Sequence, residues 1–333
     1  MKKPLPRLRL FVRWGIALFI LLLLFLLLSQ FDIQNFLYSL NRIPLFMIAL
    51  LLCVQIISQL LVNLQWRITA FYSGTPISFW KMFYVNCQGS VIDSITPGVK
   101  IGGEITRAIL LGRIAACSLK QAASVVALQK LFSLGAFFLV NLFVIGFVIN
   151  VSVFLVYGVL LFFLLLFLSL FVIPLKLKSM LLAKEKLRFG LANKLKEFLL
   201  AVFDSIIVLR KNRIISAALF LLSIFIWLLY PLKLLLLIMP FLPGSGNVFF
   251  DSLQIAGITF ASYLVAMIPI FPGGLGGFEG TMSGLLLTIG VQYSDSLAVT
   301  LVFRFATFWF VLILSLCFAA FYRLFLRRMQ TNI

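Results

Sequence analysis

Residues Phe271-Pro272-Gly273-Gly274-Leu275-Gly276-Gly277-Phe278-Glu279-Gly280 break an apolar stretch, 249–291, near its middle. A second break, Thr96-Pro97-Gly98-Val99-Lys100-Ile101-Gly102-Gly103-Glu104-Ile105-Thr106-Arg107, divides the stretch 79–112 in the same way. In both, Pro-Gly is followed by paired glycines and then by a Glu seven residues after the Pro. Pro interrupts a helix, and Gly permits tight turns and close backbone approach. The pieces on either side of each break are too short to read as full membrane spans, so each stretch is expected to fold as a re-entrant hairpin that enters and leaves on one face.

Composition makes this a membrane reading. The 333 residues are 63% hydrophobic and 11% charged, with a mean hydropathy of +1.17, against roughly 45–50% apolar and 25% charged for soluble domains. Apolar runs at 14–30, 44–70, 120–149, 151–174, 214–238 and 297–322 approach or exceed the ~20 residues that cross ~30 Å of hydrocarbon. The expected fold is all-α: six transmembrane helices plus two re-entrant hairpins in one domain, 1–326, with a short basic tail, 327–333. The basic amino terminus and the run Trp14–Leu28 lead to Leu28-Ser29-Gln30-Phe31-Asp32 without a small-residue cleavage site, which reads as an uncleaved signal anchor.

The net charge of +19 does not point to nucleic acid, because Lys and Arg flank apolar runs instead of forming a basic face with interleaved aromatics. There is no His, and no phosphate loop of the G-x-x-x-x-G-K-[ST] type, so His-based metal sites and triads and primary ATP-driven pumping are not expected. Cys53, Cys87, Cys117 and Cys317 are widely spaced in apolar sequence and read as buried small hydrophobes. No metal and no cofactor are expected.

Basic residues set the orientation. The amino terminus, Arg67 and Lys81, Arg113 and Lys120, the segment 175–213 and the tail with Arg323, Arg327 and Arg328 hold nearly all the positive charge, whereas the segments assigned to the outside hold only Arg42. Both termini are therefore expected in the cytoplasm, with the first hairpin dipping in from the cytoplasm and the second from outside. Segment 175–213 places Leu187, Leu191, Leu195, Phe198, Val202 and Ile206 opposite a basic face. It is expected to be an amphipathic connector, lying on the membrane between a first half, 1–174, and a second half, 214–326.

Each break leads through a short apolar helix and a polar turn to a span with an embedded cation, Lys130 in the first case and Arg304 in the second. Two similar halves entering from opposite faces are what an inverted-topology repeat produces. Asp93, Lys100, Glu104, Arg107, Lys130, Glu279 and Arg304 would each cost about 2.5–3.5 kcal/mol at the bilayer centre, so they are expected to pair or to line a wet cavity. Arg107, Lys130 and Arg304 suit a phosphate, with Glu104 and Glu279 as counter-ions, proton carriers or partners of a cationic headgroup. The same groups would equally serve as salt bridges fastening the hairpins to neighbouring spans. Pro97, Gly98, Gly102, Gly103, Pro272, Gly273, Gly274, Gly276 and Gly277 are the expected turn residues, and Lys233, after Tyr230-Pro231, is expected to snorkel to the outer surface.

The pattern resembles the transmembrane, flippase-like region of bacterial lysylphosphatidylglycerol synthases and of many stand-alone membrane proteins. The residues that carry this resemblance are Pro97-Gly98 with Gly103-Glu104 and Arg107, Ala123 through Lys130, Pro272 through Glu279, and Arg304. The sequence departs from the family at Gln129-Lys130, often an acidic-Arg pair, and at Phe278, often charged.

The resemblance implies movement of anionic, aminoacylated or polyprenyl-linked lipid headgroups between leaflets of a bacterial inner membrane. Synthase activity is not expected, since that belongs to a separate soluble domain. Two rivals remain open: an accessory protein that presents lipid to a separately encoded glycosyl- or aminoacyltransferase, and an intramembrane enzyme using Asp93, Glu104 or Glu279 as acid or base.

Overall fold

The computed structural model describes residues 33–96, 101–148, 212–242, 248–268 and 274–326, with short helical pieces between 157 and 165 and between 199 and 209. The span 14–30, most of 151–174, most of the connector and the tail lie outside the described residues, as do Pro97, Gly98, Lys100, Pro272 and Gly273.

Among the described residues, besides those short pieces, ten α-helices follow one another: α1 Ile33–Asn41, α2 Leu45–Tyr72, α3 Phe79–Ile95, α4 Ile101–Ile114, α5 Leu119–Val144, α6 Arg213–Ile238, α7 Val248–Ala266, α8 Gly277–Thr288, α9 Tyr293–Arg304 and α10 Phe310–Phe321. A π-helical turn, Phe305–Trp309, joins α9 to α10 without a break. Among the described residues five stretches are long and apolar enough to cross a membrane: Leu45–Tyr72, Leu119–Phe147, Arg213–Phe241, Val248–Ala266 and Tyr293–Leu324. The protein is a polytopic, all-α integral membrane protein.

One of those spans corrects the sequence reading. α7, expected as the first arm of a second hairpin, has 19 residues at a hydropathy of 1.4 and reaches about 28 Å at 1.5 Å per residue, enough to cross unaided. Its partner α8 has 12 residues, about 18 Å. The break therefore divides the stretch unequally, and only the second piece is clearly too short.

Local chemistry sets the helix ends. Ser118 and Gln121 make a reciprocal capping box at the start of α5, with Gln121 N donating to Ser118 Oγ at 3.3 Å and Ser118 N donating to Gln121 Oε1 at 3.1 Å. Before α8 the turn requires Gly276, whose φ of 82° disfavours any side chain.

The halves meet along α2, which packs against α6. Trp66 and Ala70, toward the end of α2, share a core with Met82 and Val85 of α3, Leu111 of α4 and Val125 of α5. Leu51, toward its start, shares another with Leu234 and Leu237 of α6, Phe278 and Met282 of α8 and Phe303 of α9. Leu51 and Trp66 lie about 22 Å apart along the helix axis, so the two short helices sit at different heights on α2.

Arg42, at the end of α1, bridges Asp295 of α9 at 3.2 Å and lies over the Phe241 ring. The described end of the connector is not a free face, since Phe203, Ile206 and Leu209 are buried against Leu128, Phe132 and Leu219. Nor are all the cysteines buried. They are free thiols, with Cys53 and Cys317 exposed on helix surfaces, Cys117 half-buried and Cys87 buried.

Candidate functional site

The first charged group is assembled by three helices. Arg107 of α4 donates to Asp93 of α3 at 3.0 Å, to Glu104 at 2.9 Å and to Ser90 Oγ at 3.3 Å. Lys130 of α5 reaches the same Glu104 oxygen, Oε1, at 2.7 Å. The backbone N–H of Gly103 donates to the second Asp93 oxygen at 3.0 Å, and the Arg107 guanidinium lies 5.7 Å from the Trp66 ring centre.

Two glycines make room for this group. A Cβ on Gly103 would stand 2.2 Å from the Asp93 carboxyl, and one on Gly89 would stand 2.5 Å from Arg107 Nε. α3 and α4 can approach closely enough to share the carboxylate only because those atoms are missing. Gly102, one residue earlier, likewise abuts Thr96.

The second group repeats the plan with fewer members. Glu279, in the first turn of α8, accepts from Arg304 Nε at 2.9 Å through Oε1 and from the backbone N–H of Gly276 at 2.7 Å through Oε2. The guanidinium lies between the Phe278 and Phe308 rings, at 4.7 and 4.5 Å. Gly274, with φ 71°, and Gly276 form the turn, and Gly277 opens the helix.

In each half, then, a Glu in the first turn of a short helix binds a cation from the helix that follows. Among the described residues the positive and negative charges of each group balance, Arg107 and Lys130 against Asp93 and Glu104, and Arg304 against Glu279. This balance decides the chemistry. A phosphate arriving at either group must displace a carboxylate from its cation, which the low-dielectric interior makes costly unless the displaced carboxylate gains a partner. Glu104 Oε2 and Arg107 Nε are buried without hydrogen-bond partners, so the first group is the less saturated of the two. Lys130 is also its most open member, with about a third of its side chain exposed (36%).

Residues 12–315 match the model for the lysylphosphatidylglycerol synthase TM region. The chain belongs to that family. Among curated relatives, a UPF0104 membrane protein of Methanothermobacter thermautotrophicus is 27% identical over 272 residues, covering 75% of this chain and 78% of the relative. A UPF0104 membrane protein of Pyrococcus horikoshii is 26% identical over 311 residues, covering 86% and 90%. The matched regions cover most of each relative's own length.

Besides the two charged groups, this family member has a buried polar stripe that the sequence reading missed. Gln55, Ser58, Gln65 and Thr69 of α2 are all buried. Gln65 donates to Ser223 Oγ of α6 and accepts from Gln129 of α5 at 3.2 Å. Asn63 accepts from Asn86 of α3 at 2.9 Å. Gln55 accepts from Lys233 of α6 at 2.6 Å. Lys233 does not snorkel, for it has no exposed surface. It lies eight positions before Phe241, where its helical segment ends, about 12 Å below that end and beyond the reach of its stem. The stripe was legible as polar residues three, seven and four apart in a 28-residue apolar helix, a period near 3.5.

Proposed function

We propose that the protein moves lipid headgroups between leaflets, as a flippase or scramblase, with the tails remaining in the surrounding lipid. The observation that carries this is the matched pair of Glu–cation contacts, Glu104–Lys130 and Glu279–Arg304, made by short helices at different heights on α2. The polar stripe of α2 runs between them and provides hydrogen-bonding groups through an otherwise apolar interior. Membership of the lysylphosphatidylglycerol synthase TM region family supports a lipid as the cargo. α4 and α8 span only about 21 and 18 Å, which supports a returning arm after each break although α7 is long enough to cross, and the distribution of basic residues supports entry of the first hairpin from the cytoplasm and of the second from outside. Both termini then lie in the cytoplasm.

Energetically, a headgroup phosphate would exchange one carboxylate for another ligand at each cation in turn. No nucleotide loop is present in the sequence, so movement follows lipid or ion gradients. The test is leaflet exchange of labelled anionic lipids in proteoliposomes. Exchange is expected with the native chain and is expected to fall about tenfold or more in Arg107→Ala and Glu279→Gln, each of which removes a charge-assisted contact. Absence of exchange with every anionic or polyprenyl-phosphate lipid would sink the reading. Binding without exchange would point to lipid presentation instead.

A further inference from the structure

Three cations are buried among the described residues: Arg107, Arg304 and Lys233. Arg107 and Arg304 hold carboxylates. Lys233 has none within 4 Å among the described residues; its contacts are the Gln55 carbonyl at 2.6 Å and the Tyr230 ring at 4.3 Å. An ammonium carries three donors, and one is used here. Beside it, Gln55 Nε2 is itself buried and unpartnered. Two neighbouring groups thus present unused N–H donors at one place, and what the place lacks is an acceptor carrying negative charge.

The location matches that need. Gln55 lies about 6 Å along α2 from Leu51, beside the second short helix, and about 16 Å from Trp66, beside the first. From Lys233 a run of rings leads on to the second charged group: Tyr230 to Tyr263 at 5.0 Å, Tyr263 to Phe278 at 5.0 Å, and Phe278 beneath Arg304 at 4.7 Å. Pro231, two residues before Lys233, deprives α6 of one backbone donor inside the helix. Lys233 and Gln55 both have no accessible surface, so a ligand could reach them only if α2 and α6 parted.

Resting on the translocation reading above, we propose that Lys233 and Gln55 form a phosphate-binding station between the two charged groups, occupied when α2 and α6 separate. The phosphate gains more here than at the ion pairs, because it adds charge compensation where none exists instead of displacing a carboxylate. Two phosphate oxygens would take the free donors of Lys233 and Gln55 Nε2, with no covalent step.

The test uses the native full chain in maltoside micelles, treated with a small amine-acylating reagent and read by peptide mass spectrometry, with exposed Lys120 as the reference. Lys233 is expected to react slowly, as the helices part. Dioctanoyl phosphatidylglycerol is expected to slow it about tenfold more than dioctanoylglycerol does, the difference one charge-assisted contact makes, while Lys120 is unchanged. An equal rate with both additives, or no reaction at Lys233 after Lys120 is consumed, would overturn the proposal. Protection by inorganic phosphate as strong as that by the phospholipid assigns the station to a free anion, and protection by the lipid alone assigns it to a headgroup; both support it. If leaflet exchange is absent but protection persists, the translocation reading falls and the station stands.

Discussion

At the residue scale, the first charged group depends on atoms that are missing. Asp93 occupies the space that a Cβ of Gly103 would need and accepts from the Gly103 N–H, while Arg107 lies against Gly89. Gly103→Ala is therefore expected to force Asp93 off Arg107 and to lower stability by up to about 3–5 kcal/mol, the cost of breaking a buried ion pair. Gly280 of α8 has nothing within 4 Å of its would-be Cβ, and Gly280→Ala is expected to be stabilising by about 0.5–1 kcal/mol. Thermal unfolding of both variants in micelles checks the contrast. Equal effects would mean that the Gly103 contact is unimportant. The sequence made Asp93, Glu104 and Arg107 legible, because a charge in an apolar run must find a partner. It did not show that Asp93 and Glu104 share Arg107, since that depends on how closely α3 and α4 approach.

Elements differ in how far they could be read. The recurring Pro-to-Glu spacing placed both short helices, and the cation in each following helix proved to be the partner of that Glu. What spacing alone could not give was depth. Lys233 is expected from its place near the end of the apolar run 214–238 to snorkel, yet it is fully buried inside α6, which continues through Pro231 to Ile238. Neighbouring helices hold the segment together where local sequence would end it. The polar stripe of α2 makes its own prediction. Gln65→Leu would leave Ser223 and Gln129 facing a hydrocarbon side chain, and each stranded polar group costs about 1–3 kcal/mol. Chemical denaturation of the α2–α6 contact, followed by Trp227 fluorescence, should show that loss. An unchanged midpoint would remove the stripe as a structural link between the halves.

For the whole molecule, the proposed lipid movement requires that the halves joined along α2 be related by inversion and entered from opposite faces. The native Cys117 lies in the turn between α4 and α5, outside the spans. Partial burial raises its thiol above the ordinary value. The thiolate is the reactive form, so at neutral pH Cys117 should be alkylated more slowly than a free cysteine, and its rate should keep climbing as pH rises past the usual thiol range near 8.5. The most direct measurement of the inverted arrangement is side-specific labelling in sealed membranes at alkaline pH, with a membrane-impermeant maleimide. Cys53, Cys87 and Cys317 are replaced, and either Cys117 or Ser294→Cys is retained as the single thiol. Labelling of Cys117 only from the cytoplasmic side and of position 294 only from outside is the predicted result; labelling of both from one side would contradict it.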